Sequence, residues 1–439
     1  MKISDLKDKK VAIWGLGIEG KAVLKKLNEK FPDKKITIVD DKNCPAHTGI
    51  NTCIVDQLRN IDVVIRSPGV SIYKDEILFI KKNFNTKFIT EKTLFFGELE
   101  DKKVKTIAIT GTKGKTTTST FCAYILKKLG YKVLLAGNMG VPTIELIDKA
   151  EDYDFVVVEI SSYQASDLLS FPTFAVLLNL FPEHINWHLT HNNYYADKCH
   201  LLSGSKYKIV NGDSKKVLEY TSNIEDKILF GVKNGFHYED GYFCNKEKKL
   251  FSSKNMKLLG THNYQNLCSI LTVLDILKID FNNIKQEYFD SFKPVEHRLE
   301  TIEKNGILFI NDSISTIPEA TIACYNIFKD KSIYSILGGF DRQQDYLDLI
   351  KYILDNKNIK FITLLGQTSK RISKELAENN FNNFLLCNTL EECVKNLYDK
   401  AKTDKNPVII LSPASASYDM YKNFEERGKH FKELIKNLL

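Results

Sequence analysis

Short apolar runs recur along this chain, and most are closed by a glycine turn, a polar loop or the start of a helical pattern. The first are at 11–14, 36–39 and 63–65, with a helical pattern to about Lys30 between the first two. Such alternation predicts a β-α-β unit. A second series runs through 104–109, 132–135, 155–158 and 174–178, and a third through 307–310, 332–337, 361–365 and 407–411. Apolar runs that do not alternate with polar residues predict parallel strands buried on both faces. The fold class is therefore α/β.

A chain of 439 residues with 43% apolar content exceeds what one core serves, and the three series predict three domains, at 1–102, 103–295 and 296–439. The net charge of +7 comes from lysines spread along the chain, with no nucleic-acid module among them, so anionic small molecules are the expected partners. Nine cysteines without a C-x-x-C pair, and a polar start without an apolar leader, point to reduced thiols in a cytoplasm. No apolar stretch approaches the roughly 20 residues that span a bilayer, so no membrane insertion is expected.

The most specific motif is Thr110-Gly111-Thr112-Lys113-Gly114-Lys115-Thr116-Thr117, between a predicted strand and a helix. Backbone N–H groups in such a turn and the positive end of the helix favour an anion. Lys115 can reach a terminal phosphate and Thr116 can ligate Mg²⁺, so the motif predicts an ATP site. It is shorter than the general P-loop, whose first glycine would fall at Ile109. A tight reversal with no ligand is the alternative.

Gly15-Leu16-Gly17-Ile18-Glu19-Gly20 follows the first strand, and Asp40 closes the second. That fingerprint fits a dinucleotide, which makes an NAD-dependent dehydrogenase a rival reading, but the same turn can hold the diphosphate of a nucleotide-linked substrate. Ser67-Pro68-Gly69 supplies another turn beside it.

Other polar groups fall where strands should end, the edge at which α/β sheets place ligands. Glu159 and His184 could hold Mg²⁺ there, whereas Lys198, on a predicted helix, reads as a surface lysine when taken alone. Asn263 and Asn266, three apart at a helix start, share one face and suit an adenine or a phosphate. His188, His191 and His200 lack the spacing of a zinc site. In the third series Asn311-Asp312-Ser313, Gly338 to Arg342 and Ser412 to Asp419 follow three strands and predict one shared site, where Arg342 suits a carboxylate. The stretch 418–428 reads as a helix with aromatics at 418, 421 and 424.

Taken together, these motifs resemble the Mur ligase family, in particular its glutamate-adding members, over essentially the whole chain. The anchors are Thr110 to Thr117, Glu159-Ile-Ser161-Ser-Tyr-Gln164, His184, Tyr194 to Lys198, His262 to Asn266, His297-Arg298 and Ser412 to Gly428. The resemblance implies an N-terminal Rossmann-like domain for a uridine diphosphate, a central P-loop ATPase-type sheet and a C-terminal Rossmann-like domain for the amino acid. It implies ATP-dependent ligation of glutamate to UDP-N-acetylmuramoyl-L-alanine through an acyl phosphate, by a monomer. Lys115, Lys198 and His184 are the implied catalytic groups. Thr116, Glu159, His184 and a CO₂-derived carbamate on Lys198 would hold Mg²⁺.

The resemblance further implies that Gly111 to Thr117, Asn263, Asn266, Arg298 and Asp312 contact ATP. Gly15, Leu16, Gly17, Asp40, Ser67, Pro68, Gly69, Asn138, Ser161 and Gln164 would contact the UDP substrate, and Thr316, Arg342, Ser417 and Phe424 the amino acid. Ile314 stands where many members have lysine, and Gly338-Gly-Phe-Asp-Arg342 where many have Gly-Gly-Asp-Gly-Lys. D-glutamate is expected first. L-glutamate is the alternative, because some members with the start Trp14-Gly-x-Gly-x-Glu-Gly20 resemble L-glutamate-adding forms. A folylpolyglutamate-type ligase is a more distant rival.

Overall fold

Four parallel strands open the chain: β1 (Val11–Trp14), β2 (Ile36–Val39), β3 (Val63–Arg66) and β4 (Lys87–Ile89), in the order β2-β1-β3-β4. The structure, a computed structural model, describes residues 1–44, 49–137, 141–293 and 296–438. Every residue of β1 and β3 is buried, as expected of strands apolar on both faces.

The central sheet has six parallel strands: β5 (Lys105–Thr110), β6 (Val133–Ala136), β7 (Phe155–Glu159), β8 (Phe174–Leu177), β9 (Tyr207–Asn211) and β10 (Lys227–Phe230). Their order is β10-β9-β8-β5-β7-β6, so β5, which feeds the glycine-lysine-threonine turn, has neighbours on both sides. The turn is thus flanked by the ends of β7 and β8, where Glu159 and the 178–184 segment begin.

A small antiparallel sheet follows, β11 (Phe236–Glu239), β12 (Tyr242–Asn245) and β13 (Lys248–Ser252). The apolar runs do not predict it, because its strands are short and carry charges. Its signal is the pair Asp240-Gly241, both at positive φ, which is the residue choice of a two-residue hairpin.

The last sheet is β14 (Glu300–Lys304), β15 (Ile307–Asn311), β16 (Ser332–Leu337), β17 (Ile359–Leu364), β18 (Phe384–Leu386) and β19 (Pro407–Leu411), in the order β14-β15-β19-β16-β17-β18. Only β14 is antiparallel, turned by the hairpin pair Asn305-Gly306. The order makes β15, β19 and β16 adjacent, so the three polar loops predicted to share a site emerge side by side.

The chain packs as two compact units where three domains were expected: Met1–Asn255 with Thr261–Ser291, and Met256–Gly260 with Phe292–Leu439. The expected break near 102 lies inside the first. Its physical reason is a shared core: Val11, Ile65, Leu94 and Phe95 from the first segment belong to one buried cluster with Ala108, Val156 and Val158 of the central sheet. The expected helix over 418–428 also differs, beginning only at Phe424. The Asn423 side chain caps it by accepting from the Glu426 N–H at 2.8 Å, while the Met420 and Tyr421 N–H groups both turn back to the Ser417 carbonyl.

Among the described residues no helix is long and apolar enough to cross a membrane. None of the nine cysteines is paired.

Candidate functional site

The turn after β5 is shaped by Gly114, which precedes the helix Lys115–Lys128 at a φ of 84°. A side chain there would be strained in that left-handed conformation, and its Cβ would lie 2.2 Å from the Asn266 amide nitrogen. Asn266 comes from the helix Thr261–Ile276, so two segments predicted to serve ATP close on each other. Asn263, on the same helix, is buried as well.

Two lysines point into this turn. Lys115 Nζ donates to the carbonyls of Gly111 and Thr112, each at 3.0 Å, and Lys198 Nζ donates to the same Gly111 carbonyl at 3.0 Å. Lys198 is only 2% exposed, which overturns the reading of a surface lysine. Its ammonium is pushed well below the usual lysine range, first by burial and then by Lys115, while Glu183 and Glu159 pull the other way.

Thr112 is held by the Phe181 N–H and the Tyr194 hydroxyl, both at 3.0 Å. Lys113 pairs with Glu183, and its N–H donates to the Asn179 side chain at 2.8 Å. Thr116 and Thr117 begin the helix beside them.

Glu159 is buried at the end of β7. His184 lies across the turn with a φ of 57°, a left-handed conformation uncommon outside glycine and a sign of local constraint. Partial burial lowers its imidazole's proton affinity, with Glu183 opposing and Lys198 and Lys115 adding to the shift, although one edge stays open to solvent. A neutral imidazole keeps a lone pair for a metal. Thr116 and Glu159 offer the hard oxygens that Mg²⁺ prefers, and the Lys198 amine would become an oxygen donor on reaction with CO₂. The donor set therefore fits Mg²⁺, given that modification.

His191 and His200 go elsewhere. His191 stacks against Tyr195, and His200 Nε2 lies 3.0 Å from the Leu168 carbonyl. Among the described residues no group of three or more His, Cys, Asp and Glu side chains is arranged to hold a metal.

The first glycine turn closes on the Ser67 loop, because the Ser67 hydroxyl donates to the Gly15 carbonyl at 2.6 Å. Gly15 has a φ of 88°, and Gly17 precedes the helix Ile18–Lys30, with Leu16 half-buried between them. Pro68 accepts from the Trp187 indole N–H at 2.9 Å, and Gly69 lies next to it in an open turn. Asp41, next to the expected Asp40, accepts from the Trp14 indole N–H at 2.9 Å and pairs with Lys74 at 2.7 Å. Ser161 and Gln164 form a capping box at the end of β7, and the Gln164 amide donates to Glu19 at 2.6 Å. Asn138 lies outside the described residues.

Between these two turns lies a clamp that no local pattern discloses. Arg66, fully buried at the end of β3, donates Nε and Nη2 to the two carboxylate oxygens of Asp167 at 2.6 and 2.8 Å, and Nη2 also to the Tyr163 carbonyl at 2.7 Å. Such a two-pronged pair fixes direction as well as distance.

In the second unit, Asp312 lies buried with its carboxyl raised to about 6 by burial, against hydrogen bonds from Ser315, Ser412 and the Leu299 N–H and the nearby Arg298 charge. Arg342 is exposed and stacks over Tyr418, while the Gln344 amide ties the Thr316 carbonyl to that of Ala414. The Phe424 carbonyl accepts from Ser313, and its ring meets His297 edge-on. Ser417 is buried in the same loop. The residue missed here is Arg427, which ties two of the three loops together: it donates to Ser313 in one and to Ser415 and Ala416 in another. It is sealed in, 2% exposed.

The fold is that of a multi-sheet α/β protein with parallel strands. Residues 109–274 match the Mur ligase middle domain. The chain is 32% identical, over 99% of its length and 97% of the relative's, to the UDP-N-acetylmuramoylalanine–D-glutamate ligase of Acetivibrio thermocellus. It is 30% identical, over 99% of its length and 96% of the relative's, to the UDP-N-acetylmuramoyl-L-alanine–L-glutamate ligase of Xanthomonas oryzae pv. oryzae. Among solved structures it is similar to the MurF ligase of Thermotoga maritima in complex with ADP, with a TM-score of 0.58 and 18% identity over 85% of this chain and 93% of that one. The chain belongs to the Mur ligase family, enzymes that form amide bonds with ATP.

Proposed function

We propose that this protein joins glutamate to UDP-N-acetylmuramoyl-L-alanine in peptidoglycan precursor synthesis, as a cytoplasmic monomer, with D-glutamate as the first expected isomer and L-glutamate as the second. Both isomers occur in the names of relatives that match the full length. Within it, residues 1–102 would take the UDP substrate, 103–295 the ATP and 296–439 the amino acid.

The observation that carries this reading is the convergence of Lys115 and Lys198 on the Gly111 carbonyl inside a helix-start anion turn. A carboxylate resists attack by an amine, so the L-alanyl carboxylate must first take a phosphoryl group from ATP, leaving ADP. The glutamate amine then attacks the acyl phosphate, and the tetrahedral intermediate expels phosphate. Lys115 would balance charge on the transferring group, and the backbone N–H groups of Gly111 to Thr117 would orient it. Thr116, Glu159, His184 and a carbamylated Lys198 would hold Mg²⁺, which when bound draws charge from the phosphate oxygens. Gly15, Ser67 and their loops would hold the diphosphate, and Arg342 with the Thr316 and Ser417 loops the carboxylates of glutamate.

Phosphate release from ATP with UDP-N-acetylmuramoyl-L-alanine, run with D-glutamate, L-glutamate and no amino acid, tests this. Turnover with one isomer supports the ligase and names its substrate. Silence with both overturns it.

A further inference from the structure

His188 is buried with no exposure at all, and the proposed reaction does not use it. Its Nδ1 lies 2.6 Å from Asp197 Oδ2, and its Nε2 lies 3.0 Å from the Ser162 hydroxyl. Ser, His and Asp in this order are the arrangement that activates a serine nucleophile. Here Ser162 is 1% exposed, so no acyl group can reach it and a hydrolytic role is closed off. A carboxylate can only accept, which places the shared proton on Nδ1 and leaves Nε2 facing Ser162.

What the cluster joins is informative. Asp197 directly precedes Lys198 on the helix His191–Cys199, and Ser162 directly follows Ser161 at the end of β7. Asp197 also accepts from the Tyr73 hydroxyl, at 3.0 and 3.1 Å to its two oxygens. Tyr73 belongs to the loop that begins at Ser67, and that loop is tied again by the Ser71 hydroxyl to the Trp187 carbonyl. The His188 ring stacks on Tyr163 at 5.4 Å and 18° between planes, and meets Trp187 and Tyr194. One imidazole therefore bridges the helix that carries Lys198, the turn that carries Ser161 and Gln164, and, through Asp197, the Ser67 loop.

We propose that His188 is a positioning residue for the ligation: by bridging Asp197 and Ser162 it sets the rotation of the Lys198 helix relative to the groups that would hold the UDP substrate. This rests on the ligase reading above. Its physical content is that i and i+1 positions point about 100° apart on a helix, so fixing Asp197 on one side aims Lys198 to the other. A buried hydrogen-bonded network that is fully satisfied enforces a single arrangement.

The test compares wild type with His188→Leu, His188→Asn, Ser162→Ala and Tyr73→Phe in phosphate release with UDP-N-acetylmuramoyl-L-alanine and glutamate. It adds binding of a fluorescent ATP analogue, all measured well below each variant's unfolding temperature. His188→Leu is expected to lower kcat by about 10²-fold, the scale of a small misplacement at a reacting centre. It should also raise the KM for the UDP substrate by more than it weakens nucleotide affinity, since Lys115 reaches the turn from its own helix and the Lys198 helix meets that turn only at its edge, through Lys198 and Tyr194. His188→Asn keeps a donor near Nδ1 and is expected to recover part of kcat. A folded His188→Leu enzyme with wild-type kcat and KM overturns the proposal. If that variant does not fold, Tyr73→Phe and Ser162→Ala decide: a raised UDP-substrate KM supports it, and wild-type constants in both overturn it. No turnover by the wild type would instead refute the ligase reading, so the two failures are distinct.

Discussion

Lys115 and Lys198, 83 residues apart in sequence, donate to one and the same carbonyl oxygen, that of Gly111, each at 3.0 Å. Two ammonium groups so close cannot both be charged in a buried site without cost. Lys198 is almost fully buried, and its proton affinity is lowered, first by burial and then by Lys115.

That lowered affinity predicts where CO₂ reacts. An amine attacks CO₂ only when unprotonated, so Lys198 should form a carbamate near neutral pH while surface lysines do not. ¹³C NMR of the enzyme in ¹³C-bicarbonate should show one carbamate resonance that is lost in Lys198→Met. A spectrum without it in wild type, at pH 7 to 8 and with Mg²⁺, would refute the modification.

Lys115→Met removes the charge that, in the proposed reaction, would face the transferring phosphoryl group. It should cost about 10²–10³-fold in kcat, the scale seen when one preorganised stabilising group is lost. Circular dichroism should remain that of wild type, because the side chain's bonds to the Gly111 and Thr112 carbonyls lie within one turn.

Gly114→Ala meets two penalties together. The left-handed conformation costs roughly 1–2 kcal/mol for a residue with a Cβ, and that Cβ lies 2.2 Å from the Asn266 amide. Urea titration should show the loss, and ATP-analogue affinity should fall with it as Asn266 is pushed away. Unchanged affinity would mean that the turn can relax without its glycine.

The buried Asp312 makes the stability of the second unit depend on pH. Its native-state carboxyl is raised from an ordinary value near 3.8 to about 6, so the folded protein holds a proton that the unfolded chain has released. The sign follows: the contribution is fully present below about 3.8 and is lost as pH rises through about 6. Melting curves between pH 4 and 7 should fall more steeply for wild type than for Asp312→Asn. Equal slopes would remove Asp312 as the cause.

Much of the scaffold is legible from local pattern. Parallel strands buried on both faces leave apolar runs without alternation, so β5, β7, β8, β16 and β19 are visible as such, and Gly114-Lys115-Thr116 marks the anion turn because its backbone needs a glycine where the helix starts. The three loops after β15, β16 and β19 could likewise be grouped, since polar residues at strand ends repeat there. The small sheet β11 to β13 escaped because short strands carrying charges have little periodicity, leaving only the hairpin pair Asp240-Gly241 as a signal.

The sequence by itself determined the long apolar strands of the parallel sheets and the glycine turn that opens the helix at Lys115, because both depend on neighbours within a few residues. Tertiary structure alone decided that Lys198 is buried against Gly111, that Arg66 meets Asp167, that His188 spans Asp197 and Ser162, and that residues 1–102 share a core with the central sheet. Each of these depends on groups far apart in the chain brought out of water together, where burial and charge act over a few ångströms of space. A lysine's exposure, and with it its proton affinity, is set by what folds over it, and no local pattern around Lys198 records that.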